Sequence, residues 1–561
     1  MPLISIKVED LEKLVGRSLT LEEIIEYITM LKGEYEGMEE EYLIYEATHD
    51  RPDLFSCEGL ARSIRGLAEI ELGLPRFNVN ESKVDVIVGN VYYRPYIACG
   101  LIRNVRLDEE AVRQLMQLQE KLHTTYCRNR RKASIGLYDY DTIEPPIRYL
   151  LMPIEKVRFR PLEWSKEASA KEILTKHPKG IEYGHIIANY EEVPLLVDST
   201  GQVLSMPPII NSEETKVTEE TKNIFVDVTG VDRRLVENVL KIIVTSIAER
   251  SEGKEIYKVS IHYDKDVVLT PDLSIERMDL NTSYVNDNLG LNLSTEEVIH
   301  LLLKMRLGAT HKGEDLIGVM IPAYRIDILH PIDLVEDIAM AYGYDKLEPA
   351  IPEEHYTIGR EHPLEVFSKA VREIMCGLGF QEIASYMLTS KILQTVYMRL
   401  PEEGKMVEIE NPISDRFTVV RQWLIPDLLM SIYQSRGSGY PIMIFEVGDV
   451  AWIDEKEENR VKEDRRLAAA IASTETTLVD GLVKLNALIR TLGLSVRYEP
   501  VKHRSFIEGR CGKVLVEGRE VGIIGEVHPE VLNNFKIEVP VVAFEISLGA
   551  LLNIYREKMG M

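Results

Sequence analysis

The stretch Asp327–Gly343, DILHPIDLVEDIAMAYG, sets four carboxylates (Asp327, Asp333, Glu336 and Asp337) within eleven positions, where a strand pattern gives way to a helix pattern. A helix beginning near Pro331 puts positions 333, 336 and 337 on one face by the i, i+3, i+4 rule, with Leu334, Val335, Ile338, Ala339 and Tyr342 as its apolar stripe. Asp327 lies just before that helix and can fold back over its first turn. Two readings follow. Acidic residues near a helix N-terminus suit the macrodipole, and Asp333 three residues before Glu336 makes an approximate capping box. The other reading is a set of hard oxygen ligands for Mg²⁺, an ion that takes one or two carboxylates, keeps its waters and is completed by another group. Spacing alone favours the cap.

The surrounding sequence divides into four domains. Residues 271–349 open with LTPDLSIERMDL and continue into STEEVIHLLLKMRLGA, where Ser294 and Glu297 form a capping box and Gly308 stops the helix. With the strand DLIGVMI and the acidic segment, this predicts a small winged-helix-like unit. Residues 1–80 read as an α+β module: the strand ISIKV, a helix opened by Thr20 and Glu23 and closed at Gly33, the proline-broken loop HDRPD, and a helix from about Glu58 with apolar positions 60, 64, 67 and 68. Residues 81–270 are strand-rich, with SKVDVIVG, YIACGLIRNV, ASIGLYD, PLLVDSTGQVLSM and NIFVDVTG alternating around helices near 109–123 and 232–250. LEPAIPEEHYTIGREHP reads as a linker, and 361–561 as an antiparallel α+β domain carrying a mobile charged loop, DEKEENRVKEDRR. The expected fold class is α+β and multidomain, with a mixed α/β second domain.

Composition narrows the function classes. A chain of 561 residues with 45% apolar content builds several cores, and no apolar run is long enough to span a bilayer. The opening MPLISIKVEDLEKLVG reads as strand then helix, without the features of a signal peptide, and the five cysteines include no CxxC pair. A reducing cytoplasm is the expected location. A net charge of −25 argues against a surface that embraces DNA or RNA as a whole, so any nucleic-acid contact is local. The densest basic run is CRNRRKASIG, with Arg128, Arg130, Arg131 and Lys132; such runs are ordinarily solvated faces. Neither a P-loop, an HExxH nor a GxSxG motif occurs, and Gly512-Lys513 lacks both the earlier glycine and the following hydroxyl residue of a P-loop. The residues alone support a cytosolic multidomain α+β protein with an acidic metal-site candidate.

Three segments in order, THDRPDLFSCEGLARSIRGL, then LSMPPIIN with NIFVDVTG, then PAYRIDILHPIDLVEDIAMAYGYDKL, resemble the β subunit of phenylalanyl-tRNA synthetase of the shorter archaeal and eukaryotic type. NPISDRFTVVRQWLIPDLL and FEVGDV agree with it further on. The resemblance implies a subunit of an (αβ)₂ ligase that joins phenylalanine to tRNA(Phe) with ATP. Its synthetic site would lie on the α subunit, and its C-terminal domain would be class II synthetase-like without catalytic motifs. No GxGxxR segment offers the arginine that would meet phosphate charge, and Arg421 reads as structural or interfacial.

The resemblance further implies hydrolysis of tyrosine misattached to tRNA(Phe). Asp227 and Thr229, at i and i+2 of NIFVDVTG, share a strand face; without the family they read as the polar face of a half-exposed strand. Carried over from the family, they become hydrogen-bond partners for a tyrosyl hydroxyl, joined by Ser205, with Leu196 as a shaping wall. No residue presents itself as a general base, so the expected nucleophile is a water positioned by substrate and backbone groups. Asp327, Asp333, Glu336 and Asp337 match family positions that bind Mg²⁺ at the contact with the α subunit. Relative to the longer bacterial type, the chain lacks an inserted OB-type module and a C-terminal anticodon-binding extension.

Overall fold

The computed structural model describes residues 1–349, 351, 358–401 and 405–560 and divides into two compact units, Met1–Ile351 and Pro352–Met561. The middle of the expected linker, 352–357, lies outside the described residues.

The first unit begins with a three-stranded antiparallel sheet, Leu3–Lys7, Tyr42–Glu46 and Glu34–Glu39, with Leu21–Met30 and Cys57–Leu67 among its helices. The cap at Thr20 forms as read: its Oγ1 accepts from Glu23 N at 3.2 Å, and Glu23 Oε2 accepts from Thr20 N at 2.8 Å. Helix 57–67 is buried nearly all round, including Leu60, Ile64 and Leu67, because other elements of the unit pack on several of its sides.

A ten-stranded sheet fills the middle of this unit. Its order is Ile210–Asn211, Val203–Met206, Glu192–Val197, Ile147–Pro153, Asn78–Val88, Glu255–His262, Tyr96–Ile102, Ile224–Gly230, Ala133–Asp139, with Val267–Thr270 paired to Glu255–His262. Only the two pairings of Asn78–Val88 are parallel. The central strand Glu255–His262 and the strand Ile147–Pro153 were not among the strands read from the sequence. The sheet curls until its ends meet: Asn211 Nδ2, at one end of the order, donates to the Leu137 carbonyl at the other (3.2 Å). Helices Glu109–Thr124 and Arg233–Ala248 cover one face, burying Val226, Val228, Ile135 and Leu137.

The third module is richer than expected. A strand, Glu276–Asn281, and a helix, Thr282–Leu289, precede helix Thr295–Lys304, strands Gly308–His311 and Leu316–Ile321, and helix Pro331–Tyr342. The Ser294–Glu297 box is present, but Gly308 opens a strand and does not end the helix. The three expected N-terminal domains share one hydrophobic cluster, running from Ile4 through Val226 to Ala341. Each fully buried Leu or Ile there contributes about 1.5–3 kcal/mol, which binds the modules into one unit.

The second unit is a seven-stranded sheet, antiparallel except where the short strand Gln381–Glu382 runs parallel beside Ile442–Ile453. Helices Pro363–Gly377, Leu478–Thr491 and Leu548–Met559 pack on one face, and Ile425–Gln434 contributes to the other apolar cluster. The charged run expected to be a mobile loop is a hairpin: Val461–Ala472 pairs with Ile442–Ile453 in unbroken register, leaving only 454–460 as the turn. Arg421 is buried, ion-paired to Glu446 at 2.6 Å, and donates to the Asp449 carbonyl, contacts of the structural kind among its two expected roles.

Candidate functional site

Strand pairing assembles the first candidate site. Ile224–Gly230 lies between Tyr96–Ile102 and Ala133–Asp139, placing Asp227 opposite Cys99 and Gly136, and Thr229 opposite Ile97 and Ser134. Asp227 and Thr229 do share a face, but it is not half-exposed: they are 1% and 0% accessible. The curl brings Leu204 and Leu196 against this face, in one cluster with Phe225 and Tyr138. Leu196 pairs directly with Ser205, so both expected residues reach the same corner.

The polar groups of that corner are held closely. Tyr138 Oη lies 2.5 Å from Asp227 Oδ1 and 2.7 Å from Ser205 Oγ. A phenol has one proton, so it donates to the carboxylate and accepts from the serine hydroxyl. Burial raises the Asp227 carboxyl to about 7, against the opposing pull of the Tyr138 hydrogen bond and the Arg94 charge. Burial likewise holds the Tyr138 phenol well above its ordinary range, so it stays a neutral donor. Gly136 makes the approach possible: a Cβ there would sit 2.1 Å from Tyr138 Oη and 2.2 Å from Asp227 Oδ1.

Thr229 is bound differently. Arg94, in the loop before Tyr96–Ile102, donates through Nε to Thr229 Oγ1 (3.1 Å), and through Nη2 to the Thr229 carbonyl (2.8 Å) and Ser134 Oγ (3.0 Å). Ser134 Oγ lies a further 3.1 Å from Thr229 Oγ1. The Thr229 hydroxyl therefore ties the strand to a buried guanidinium, whereas Asp227 and Ser205 hold the phenol. Neither Arg94, Tyr138 nor Gly136 was singled out from the sequence. A period-two reading of ASIGLYD would have put Ser134, Gly136 and Tyr138 on one face, but not opposite Asp227. From the basic run, Arg130 is buried and donates to the Pro208 and Ile209 carbonyls (3.3 and 2.9 Å). That side chain braces the sheet closure.

The acidic stretch is the second candidate. Helix Pro331–Tyr342 begins where expected, but its cap is offset from the one read. Asp333 is the third helical residue, and its Oδ2 accepts from the Leu329 and His330 amides, both at 2.7 Å. Glu336 is exposed and pairs with Lys32 Nζ at 3.0 Å. Asp327 and Asp337 converge on Arg325, which donates to Asp327 Oδ2 at 2.7 Å and to Asp337 Oδ1 at 2.9 Å. Arg325 holds the Asp327 carboxyl below its usual value, while burial raises that of Asp337. Among the described residues, no three of these four carboxylates bring ligand atoms within 4.8 Å of one another. As placed they do not form a magnesium shell; a guanidinium occupies the place between the two inner ones. No described helix is long and apolar enough to cross a membrane.

Comparison with known proteins supplies the family. The models described as B3/4 domain, tRNA synthetase B5 domain and Phenylalanyl tRNA synthetase beta chain CLM domain match residues 110–252, 278–344 and 347–548. The chain is 44% identical over 561 residues to the phenylalanine–tRNA ligase beta subunit of Thermofilum pendens, covering 100% of both chains. It is also 44% identical over 560 residues to the beta subunit of Pyrococcus furiosus, covering 98% of this chain and 100% of that one. A crystal structure of an N-terminal fragment of the phenylalanyl-tRNA synthetase beta subunit from Pyrococcus horikoshii superposes with a TM-score of 0.59 at 40% identity, covering 61% of this chain and 100% of the fragment.

Proposed function

The chain belongs to the family of phenylalanine–tRNA ligase β subunits, and from that premise we propose that it supports ATP-dependent charging of tRNA(Phe) by an α subunit and hydrolyses Tyr-tRNA(Phe) at the Asp227 corner. The (αβ)₂ assembly, the cytoplasmic location, the winged-helix-like character of 271–349 and the class II-like character of 361–561 belong to the same proposal. One observation carries the editing reading: Asp227 and Ser205 are a buried acceptor and hydroxyl already spaced to hold a phenolic oxygen, with Leu196 in the same apolar cluster. A tyrosyl hydroxyl satisfies them, whereas a phenyl ring leaves them unpaired. The difference is worth about 1–3 kcal/mol for each buried group stranded. Thr229 acts through Arg94 and Ser134, by fixing the strand that carries Asp227.

Magnesium enters this proposal at the outer edge of the acidic stretch, where Glu336, in exchange for Lys32, and the remaining oxygen of Asp333 are the carboxylates that would meet it. Asp327 and Asp337 join it only where Arg325 yields. Bound there, the ion would screen these carboxylates at the contact with the α subunit.

Deacylation of Tyr-tRNA(Phe) by the α/β complex tests the reading. Asp227→Ala and Thr229→Ala abolish it while aminoacylation survives; hydrolysis retained by both variants would remove the site from this corner. A scaffold without editing is the second reading, and one observation favours it: Tyr138 already fills the hydroxyl corner. A wild-type complex that leaves Tyr-tRNA(Phe) intact would establish it.

A further inference from the structure

Tyr138 is an unusual occupant of the Asp227 corner, because its contacts are those a tyrosyl ligand would make. Its hydroxyl gives its one proton to Asp227 and lies 2.7 Å from Ser205 Oγ, and its ring is tilted against Phe225 with centroids 6.0 Å apart. The backbone is fitted to that oxygen, since only glycine at 136 leaves room for it beside Asp227. Donor, acceptor and steric relief all converge on one phenolic oxygen, so the corner is complementary to a phenol as a chemical group.

We propose that Tyr138 is a displaceable resident phenol that sets the specificity of the corner: a ligand enters only by exchanging its own phenolic hydroxyl for that of Tyr138. This rests on the editing reading for its substrate but not for its geometry. The exchange is selective in a way an empty pocket is not. A tyrosyl side chain replaces one phenol by another and leaves Asp227 and Ser205 paired. A phenylalanyl side chain would have to evict a hydrogen-bonded hydroxyl and offer nothing in return, so the resident group keeps correctly charged tRNA out as well as failing to reward it. The same residency weakens tyrosyl binding, because the ligand must outcompete a tethered rival.

The test uses the full-length chain carrying a single 3-fluorotyrosine at position 138, with p-cresol as the phenolic probe and toluene as its match without the hydroxyl. p-Cresol moves the ¹⁹F resonance toward that of an exposed tyrosine, and toluene at equal concentration does not. If neither compound moves it, or both do so equally, the proposal is overturned. In a second measurement, Tyr138→Phe binds p-cresol on the order of tenfold more tightly than wild type, the factor that one buried hydrogen bond is worth. Unchanged or weaker binding by a folded Tyr138→Phe chain also overturns it. Exchange without Tyr-tRNA(Phe) hydrolysis by the wild-type complex would sink the editing reading and leave the phenol site standing. Hydrolysis without exchange would sink only the present proposal.

Discussion

Arg94 and Thr229 are joined twice, side chain to side chain and side chain to carbonyl, across 135 residues of sequence. Arg94 is 2% accessible, and its guanidinium also serves Ser134 Oγ and the Arg130 carbonyl. Arg94→Ala strands those partners and costs on the order of 3 kcal/mol, read as a lowered thermal midpoint of the full-length chain. Arg94→Lys recovers little of it, because an ammonium cannot reproduce the planar fork. A midpoint unchanged in Arg94→Ala would show that these bonds contribute nothing net.

Asp227 and His123 predict opposing pH dependences that mask one another. Burial raises the Asp227 carboxyl from 3.8 to about 7, so between these values the folded state holds a proton the unfolded state has released. Its contribution is fully present below 3.8 and is lost as pH rises through 7. Burial lowers His123 from 6.5 to about 4, and its Nε2 accepts from the Ile135 amide at 2.8 Å. That contribution is fully present above 6.5 and is lost as pH falls through 4. Between pH 4 and 6.5 the two slopes nearly cancel in wild type. Relative to wild type, Asp227→Asn therefore loses stability progressively with acid over this window, and His123→Gln loses it as pH rises. Denaturant titrations at several pH values check both signs, and parallel curves for all three proteins would contradict the pairing.

Arg325 supplies the cation between Asp327 and Asp337, so the stability of the isolated chain does not depend on magnesium. Exchanging Mg²⁺ for EDTA shifts its thermal midpoint by less than about 1 °C, because a ligand without a preformed site contributes little. Arg325→Ala removes the guanidinium bonded to both inward carboxylates, leaves them only the field of the buried Arg51, and costs about 3–5 kcal/mol. In that variant the midpoint becomes Mg²⁺-dependent as the vacated place accepts the ion. A wild-type midpoint that falls several degrees in EDTA would instead show a shell that forms only with metal. At the outer edge, Asp333→Ala and Glu336→Ala weaken association with the α subunit, and the difference narrows in EDTA.

Local signals were the legible ones. The boxes at Thr20 and Ser294 lie within one helical turn of the residues they cap, and both form as read. The shared face of Asp227 and Thr229 followed from strand periodicity, but their burial did not. It depends on two neighbouring strands and on a curl that brings Ser205 from six strands away in the sheet order. Arg94 and Tyr138 were invisible for the same reason: no periodicity ties residue 94 to 229 or selects the register that sets Gly136 opposite Asp227. At the acidic stretch the helix was legible and its partners were not, since Arg325 stands two residues before Asp327 and reads as an ordinary basic position until the fold turns it inward.

Gly136 and Tyr138 should behave as a coupled pair. The Cβ added by Gly136→Ala would meet Tyr138 Oη at 2.1 Å and Asp227 Oδ1 at 2.2 Å, both inside any allowed contact. Tyr138 ends in a ring that can withdraw, but Asp227 is short and fixed on a strand paired on both sides, so the substitution costs about 1–3 kcal/mol as overpacking and expels the phenol. Removing the hydroxyl first relieves half of that conflict. Gly136→Ala in a Tyr138→Phe background therefore costs less than in wild type, with a coupling of about 1 kcal/mol between positions that share one oxygen atom. Thermal or denaturant unfolding of the four proteins of the cycle measures it. Strict additivity would mean that the backbone at 136 shifts away from the corner and that glycine there serves the strand pairing, not the phenol.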